Sequence, residues 1–166
     1  MSTRVSDCPP LLEPGEHVLT IEDLRALCVA KFPLSTTRWA IMDGFRKIVA
    51  MLTTEQIDCE ILVDGSYITH EIQPDDIDFA VVVSPQFYDE GNPAQRKLLD
   101  WIGDDKTISA TYLCDCYLCV DYQEGEVGWF EGINDRTWWL NLFSKSVVFK
   151  RDRGIAVVRI GAGIRT

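Results

Sequence analysis

The sequence lacks the apolar segments that membrane association requires. No apolar run approaches the ~20 residues that cross a bilayer, and the N-terminal stretch MSTRVSDCPPLLEPGEH has no apolar signal core. Basic residues are also few, because 16 Lys and Arg stand against 26 Asp and Glu, for a net charge of −10. We therefore predict a cytoplasmic protein with no membrane contact and no tight non-specific binding to DNA.

Histidine is scarce as well, with 2 residues in the chain against 6 cysteines. Cytoplasmic cysteines stay reduced. Cys114, Cys116 and Cys119 form a C-x-C-x-x-C cluster, but no histidine and no second cysteine pair lies near them in the sequence. On a strand, Cys114 and Cys116 would share one face and Cys119 would point to the other. The spacing favours buried thiols over a zinc site.

The length and composition fit a single domain. A chain of 166 residues, 46% of them hydrophobic, is enough for one compact core and too short for two. Residues 1–19 are predicted to be an irregular arm, because three prolines and Gly15 interrupt them. Residues 20–166 would then form the folded domain.

Apolar periodicity and capping signals predict the elements of that domain. Thr20 and Asp23 form a capping-box pattern, and Pro93 suits the first position of a helix. The predicted helices cover 20–32, 35–52, 92–103 and 135–144. The predicted strands cover 59–67, 77–83 and 108–122, with two further β segments around a turn at 152–154. This order predicts an α/β (α+β) fold with a mixed β-sheet flanked by helices.

An unusual concentration of acid stands in front of the most apolar strand. Asp75, Asp76 and Asp78 fall within four residues, and the run FAVVV follows directly. Asp76 and Asp78 lie two apart and would leave the same face of a strand, where their carboxylates repel each other. A hard divalent cation such as Mg²⁺ removes that repulsion and completes its shell with water and substrate phosphate. This pair therefore predicts a magnesium site.

A phosphate-binding turn is predicted just upstream. Gly65 and Ser66 form the turn that ends the predicted strand 59–67, and they can present backbone N–H groups and a hydroxyl to a phosphate. Asp64 is expected to be an ordinary turn acid, and Asp75 to point away from its neighbours. Together, the turn and the acid pair fit a metal-bound nucleoside triphosphate (NTP).

The stretch VDGSYITHEIQPDDIDFAVV resembles the signature of the nucleotidyltransferase superfamily related to DNA polymerase β. That signature is a hydrophobic residue, Gly-Ser, a spacer, and then Asp-hydrophobic-Asp-hydrophobic. The Gly-Ser here is Gly65-Ser66, and the acid pair is Asp76 and Asp78. The superfamily has a third carboxylate on a neighbouring strand. Asp115 in YLCDCYL matches it best, and Asp121 in CVDYQ is the runner-up.

The resemblance implies a nucleotidyltransferase fold and a metal-dependent reaction. Asp76, Asp78 and Asp115 would bind two Mg²⁺ or Mn²⁺ ions, while Gly65 and Ser66 would bind the β and γ phosphates. A nucleoside monophosphate (NMP) would pass from the NTP to an acceptor, and pyrophosphate would leave. Asp115 would ligate one ion or accept the proton of the acceptor hydroxyl.

A narrower resemblance covers most of the chain. It is to small stand-alone nucleotidyltransferase-like proteins of bacteria and their phages, which have no settled function. Some small relatives in the superfamily act in toxin–antitoxin or phage-defence systems and transfer nucleotides to a protein or a tRNA. The resemblance thus implies a protein or tRNA acceptor, and it leaves room for a cognate toxin or antitoxin partner. The alternative is a catalytically inactive member of the fold that binds a nucleotide or a partner protein.

Basic and aromatic residues gather towards the end of the chain. Six of the 16 Lys and Arg lie in the last 22 residues: Lys145, Lys150, Arg151, Arg153, Arg159 and Arg165. This segment, with Lys150 and Arg151 as its nucleotide-binding candidates, could bind the triphosphate tail or an RNA acceptor, or it could be a hairpin with solvated charges. Four aromatic residues could stack a base, although helix packing suits Trp139 and Phe143 better; the four are Trp129, Trp138, Trp139 and Phe143.

Overall fold

A computed structural model describes residues 8–104, 106–129, 132–145 and 152–161. Within these ranges, five strands form one sheet and six α-helices flank it. The strands are β1 (Gly15–Val18), β2 (Cys59–Asp64), β3 (Ile77–Val83), β4 (Cys114–Val120) and β5 (Gly154–Ile160). The helices are α1 (Ile21–Arg25), α2 (Arg38–Thr54), α3 (Pro85–Asp89), α4 (Pro93–Asp104), α5 (Thr107–Tyr112) and α6 (Arg136–Phe143). The fold is a single α+β domain, as the sequence predicts.

The sheet is mixed, with the strand order β1-β5-β2-β3-β4. The outer pairs, β1 with β5 and β3 with β4, are parallel, whereas β2 is antiparallel to both of its neighbours. The central strands β2, β3 and β5 are buried along almost their whole length. Their near-continuous apolar sequences follow from this, because both of their faces are covered.

The two faces of the sheet are covered unequally. The larger core lies between the sheet and α1, α2, α4 and α5, and includes Phe45 and Phe79, whose rings meet edge to face at 5.2 Å. The smaller core lies under α6 and joins Leu62, Ala80 and Val157 to Trp139. Among the described residues, the sheet face under the short helix α6 therefore has the thinner cover.

Several local predictions are confirmed. The Thr20 hydroxyl accepts the Asp23 N–H at 3.0 Å, and an Asp23 carboxylate oxygen accepts the Thr20 N–H at 3.1 Å, so the capping box begins α1. The first helix then continues as a π-helical turn over Ala26–Ala30. Pro93 is the first residue of α4, and β3 has the predicted bounds.

The prediction of one long strand over 108–122 is wrong in its first half, where the chain forms α5. Leu113 then adopts a left-handed conformation with φ 56°, which ends the helix and allows β4 to begin at Cys114. The helix packs closely on α2, because a Cβ at Gly44 would lie 1.8 Å from the Tyr112 carbonyl oxygen. Tertiary packing thus overrides the strand preference of the β-branched residues in this segment.

The irregular arm is also only partly irregular. Gly15–Val18 pairs with β5 as the edge strand β1, which the three prolines nearby had concealed. Before it, the Leu11 N–H donates to Ile68 O at 2.9 Å, so the arm lies along the segment that follows Gly65-Ser66. The helix α3 was not predicted. The first of the two predicted C-terminal β segments falls largely outside the described residues.

The cysteine cluster has the predicted arrangement. Cys114 and Cys116 face the larger core, and Cys119 faces the smaller one. Burial raises the pKa of the Cys119 thiol to about 12, so this core side chain stays protonated at neutral pH. Within the ranges that the structure describes, no helix combines the length and apolar character that a membrane span requires.

Candidate active site

Three carboxylates form a row across the sheet. Asp64 ends β2, Asp78 is the second residue of β3 and Asp115 is the second residue of β4. The strand register pairs Asp64 with Asp78 and Asp78 with Asp115. Directly paired residues on neighbouring strands leave the same face with Cβ atoms about 5 Å apart. We call these three residues the acidic row; they lie on the face that α6 covers.

Asp76 joins the acidic row from outside the strand. It immediately precedes the first residue of β3, so it lies just outside the strand on which the sequence pattern placed it. It is half-buried. Burial raises the pKa of its carboxyl group. The negative charge of Asp115 raises this pKa further, and the charges of Asp75 and Glu71 have smaller effects in the same direction. Asp76 therefore lies within electrostatic reach of the row although the strand does not position it.

The middle carboxylate of the row experiences the strongest repulsion. Burial, followed by the charges of Asp76, Asp64 and Asp115, raises the pKa of Asp78 to about 7, and only the charge of Arg153 opposes this rise. A carboxyl group with this pKa is about half protonated at neutral pH. The predicted conflict between the acids is therefore present, and it is centred on Asp78.

Asp64 belongs to the site rather than to a turn, which corrects its expected role. The residue is 5% exposed, and its Oδ2 accepts Arg153 Nη2 at 2.6 Å. Its Oδ1 is buried and has no hydrogen-bond partner among the described residues. Burial raises the pKa of this carboxyl group to about 6 despite the opposing charge of Arg153. A buried carboxylate with one oxygen unsatisfied is costly unless a ligand completes it.

The turn after β2 can be made only by glycine. Gly65 has φ 84° and ψ −167°, a combination that other residues essentially never adopt. A Cβ on Gly65 would also lie 1.8 Å from Asp78 Oδ2, so the backbone passes directly against that carboxylate. Ser66 then begins a 3₁₀ turn over Ser66–Ile68. The predicted phosphate-binding turn thus lies beside the acidic row.

A buried arginine fixes the segment that follows this turn. Arg38, which is 1% exposed, uses all five of its N–H donors on backbone carbonyl oxygens. The acceptors belong to Cys28, Tyr67, Thr69 and Glu71. Because Arg38 belongs to α2, its bonds to the carbonyl oxygens anchor the chain segment between Ser66 and Asp76 to this helix. Sequence reasoning missed this residue, since an arginine at the start of a helix normally lies in solvent.

The strand register distinguishes the two candidates for the third carboxylate. Asp115 is paired with Asp78, and its Oδ2 accepts the Tyr117 hydroxyl at 3.0 Å. Asp121 follows the far end of β4, where its Oδ1 accepts the Arg136 N–H at 3.1 Å. The geometry therefore brings Asp115, and not Asp121, to the other acids.

The predicted phosphate-binding cations fall partly outside the described residues. Lys150 and Arg151 both lie there. Arg153, from the same basic segment, is described and contacts the site through Asp64. Its Nε also donates to Phe143 O at 3.0 Å, which ties β5 to the end of α6. Arg153 is thus the basic residue that the described structure places beside the acidic row.

The donor set fits a hard divalent cation in its chemistry. The row and Asp76 supply only carboxylate oxygens, the Oδ1 atom of Asp64 is unsatisfied, and Asp78 has a raised pKa. As the described side chains stand, no three His, Cys, Asp or Glu residues are gathered into a metal-binding group. Holding a cation would therefore require the carboxylates to turn towards one another.

Comparison with curated proteins gives no significant match, and comparison with solved structures gives none either. A family model described as "Family of unknown function (DUF6932)" matches residues 6–159. The match includes the acidic row, Asp76, the Gly65-Ser66 turn and Arg153. Because it spans most of the chain, the protein belongs to the DUF6932 family of unknown function.

Proposed function

We propose that this protein is a metal-dependent nucleotidyltransferase that moves an NMP from an NTP to a protein or RNA acceptor in the cytoplasm. The observation that carries the proposal is the pairing of Asp78 with Asp64 on one side and with Asp115 on the other. Stability alone gives no reason to place three acids side by side on a half-covered sheet face. Cation binding does give one, because it turns their repulsion into ligation.

Asp76, Asp78 and Asp115 would hold the divalent ions, and Asp64 stands next to them as a further oxygen donor. Bound Mg²⁺ or Mn²⁺ would neutralise phosphate charge and lower the pKa of the acceptor hydroxyl. The Gly65 N–H and the Ser66 hydroxyl would bind the β and γ phosphates and stabilise charge on the leaving pyrophosphate. Arg38 would hold this turn in position through its bonds to Tyr67 and Thr69.

The reaction balances with these groups alone. An acceptor oxygen forms a bond to the α-phosphorus, and the bond between that phosphorus and the bridging oxygen to the β-phosphate breaks. Pyrophosphate takes the electron pair of the broken bond. Asp115 accepts the proton that the acceptor hydroxyl loses, and later passes it to water.

The acceptor is proposed to be supplied by a partner. The described residues form a single α+β domain, which suits an acceptor hydroxyl on a partner protein or a tRNA end. A cognate toxin or antitoxin protein would fill this role. Strong net negative charge disfavours unaided binding to long nucleic acid.

The decisive experiment follows the label on the transferred group. The protein is incubated with each NTP carrying ³²P in the α-phosphate, with Mg²⁺ or Mn²⁺, and with cell lysate as the source of acceptor. We expect labelled protein or RNA with one or more NTPs, and no label when ³²P is in the γ-phosphate. The γ-labelled reaction distinguishes nucleotidyl transfer from phosphoryl transfer.

Two variants make this test specific. The double variant Asp76→Asn, Asp78→Asn should abolish labelling, whereas Asp75→Asn, a neighbouring exposed acid outside the row, should retain it. Labelling by the double variant at the wild-type level would rule out the proposed mechanism.

A second candidate is a non-catalytic protein that binds a nucleotide or a partner. It is favoured by the partners that two of the acids already have, Arg153 for Asp64 and the Tyr117 hydroxyl for Asp115. This alternative predicts nucleotide binding by calorimetry that needs no divalent ion, together with no transfer of α-label to any acceptor.

A further inference from the structure

A cavity of about 530 Å³ lies beside the acidic row, between the sheet and α6. Asp64, Asp78 and Arg153 line its polar side, while Tyr117 and Trp138 are among the residues that line its apolar side. Cavities of roughly 300–1,000 Å³ with a few polar groups at one end are typical of small-molecule sites. The cavity is therefore large enough for more than the phosphates that Gly65 and Ser66 would bind.

Two of the aromatic residues around the cavity are committed to packing. Trp139 is 4% exposed, and its Nε1–H donates to Ile133 O at 2.8 Å. Its ring meets the Phe143 ring edge to face at 5.3 Å, and Phe143 is also buried. These two side chains hold α6 on the sheet, as the sequence predicts, and although both line the cavity, little of their surface is exposed.

Tyr117 and Trp138 differ from them because their rings remain partly open. Tyr117 is 37% exposed, and its hydroxyl is bonded to Asp115, so its ring extends from the acidic row towards α6. Trp138 is half-buried and stands against Trp139 at 88° and 5.1 Å. Helix packing does not explain why two large aromatic surfaces line one cavity and stay accessible.

We propose that this cavity binds the base of the nucleoside triphosphate, stacked on Trp138 and Tyr117. The inference rests on the proposed function and names a specific part of its substrate. The phosphates and the base of one nucleotide are joined through the sugar, so a phosphate site at Gly65 needs a flat apolar surface near it. Tyr117 connects the two surfaces. Its hydroxyl donates to Asp115, and the centroid of its ring lies 5.0 Å from the centroid of the Trp139 ring.

The expected stacking energy predicts how much more tightly an NTP should bind than tripolyphosphate. Stacking on an aromatic side chain contributes about 1–3 kcal/mol per base, which corresponds to roughly 5- to 150-fold in affinity. In the presence of Mg²⁺, calorimetry should therefore show that at least one of ATP, GTP, CTP and UTP binds fivefold or more tightly than inorganic tripolyphosphate. Tripolyphosphate is the appropriate probe because it has the phosphates but no base.

Substitutions in the cavity test whether the stacking residues cause the tighter binding of NTP than of tripolyphosphate. Trp138→Leu should lose the preference for NTP and leave tripolyphosphate affinity within about twofold of wild type, whereas Trp138→Phe should keep it. If Trp138→Leu does not fold, Trp138→Met, which also removes the ring and leaves the bond between Tyr117 and Asp115 in place, serves the same purpose. Trp101→Leu, a partly buried tryptophan on α4 on the opposite side of the sheet, is the matched control and should keep the preference.

The outcomes separate the two proposals. If tripolyphosphate binds as tightly as every NTP, or if the variants that lack the Trp138 ring keep the preference, the base site is wrong and the proposed function stands. If neither tripolyphosphate nor any NTP binds with Mg²⁺ or Mn²⁺, both the function and the base site are wrong. A preference that depends on Trp138 supports both.

Discussion

The two ends of the sheet face under α6 both carry charged side chains, but they differ in how many arginines contact the acids among the described residues. At the far end, Arg159 and Arg136 both contact Glu60, Arg136 also contacts Glu16, and the Arg136 N–H donates to Asp121. At the near end, the acidic row and Asp76 supply four carboxylates, and Arg153 is the one cation that contacts them among the described residues. We call these the balanced end and the acidic end.

The difference between the two ends indicates which charged residues stabilise the fold and which are available to bind a ligand. The balanced end joins β1, β2, β5 and α6 through paired charges, so it has a structural explanation. The acidic end raises the pKa of Asp78 to about 7 and leaves Asp64 Oδ1 unsatisfied, so it weakens the fold unless something binds. Excess charge of one sign in a partly covered cavity is typical of functional sites.

The largest expected effect is on activity at the acidic end. Asp78→Asn should lower transfer of α-label at least about a thousandfold, because it removes the central oxygen donor of the site. The same variant should fold as stably as wild type or more stably at pH 8, since it removes the repelled charge. Activity is measured with the acceptor identified above, and stability by urea denaturation. A stable variant with normal transfer would contradict the site.

Removing one arginine from each end should produce unequal losses of stability. Arg153→Gln leaves Asp64 buried without its cation and should lower the free energy of unfolding by about 3 kcal/mol at pH 8. The loss should shrink at pH 5, where Asp64 takes up a proton. Arg159→Gln leaves Glu60 with Arg136 and should cost less than about 1 kcal/mol. Equal losses in the two variants would show that the two ends do not differ in balance.

The close contact of Gly65 with Asp78 can be tested with a pair of glycine variants. Gly65→Ala should lower the free energy of unfolding by about 2–3 kcal/mol, because it adds backbone strain and a clash with the carboxylate. Gly125→Ala is the control, since Gly125 has a similar φ of 92° and no atom within 4 Å of the added Cβ. The difference in unfolding free energy between the two variants, measured by urea denaturation, gives the cost of the clash. Indistinguishable curves would mean that the turn does not press on Asp78.

The smallest effect is the dependence of stability on pH. Asp78 and Asp64, with pKa values of about 7 and 6, bind protons more tightly in the folded chain than in the unfolded one. Their contribution is complete below the ordinary aspartate pKa of about 4 and is lost as pH rises through 6 and 7. Wild type should therefore lose on the order of 1–2 kcal/mol of stability relative to Asp78→Asn between pH 5 and pH 8. Parallel pH profiles of the two proteins would contradict the raised pKa of Asp78.

Local signals in the sequence predicted the elements that depend on local chemistry. The capping box at Thr20, the proline at the start of α4 and the apolar run of β3 each act within a few residues, and each is confirmed. The elements that were missed depend on distant partners. Strand β1 exists because it pairs with β5, and α5 exists because it packs against Gly44 of α2.

The candidate site divides in the same way. The Gly-Ser turn and the acids at 76, 78 and 115 could be named from spacing and resemblance, and Arg153 from its basic segment, whereas Asp64, Arg38 and Tyr117 could not. Asp64 directly precedes Gly65, and its position at the end of an apolar strand was the available signal. Its role emerged only from the register that pairs it with Asp78.

The sequence by itself determined where the charged and apolar residues fall along the chain, and hence which segments can be buried strands and capped helices. Only the tertiary structure decided which of the 26 acids meet. Strand order and register bring together residues that are far apart in sequence, and a shift of one residue would turn a side chain to the other face. Pairing between β2, β3 and β4 therefore created the acidic row that no local pattern contains.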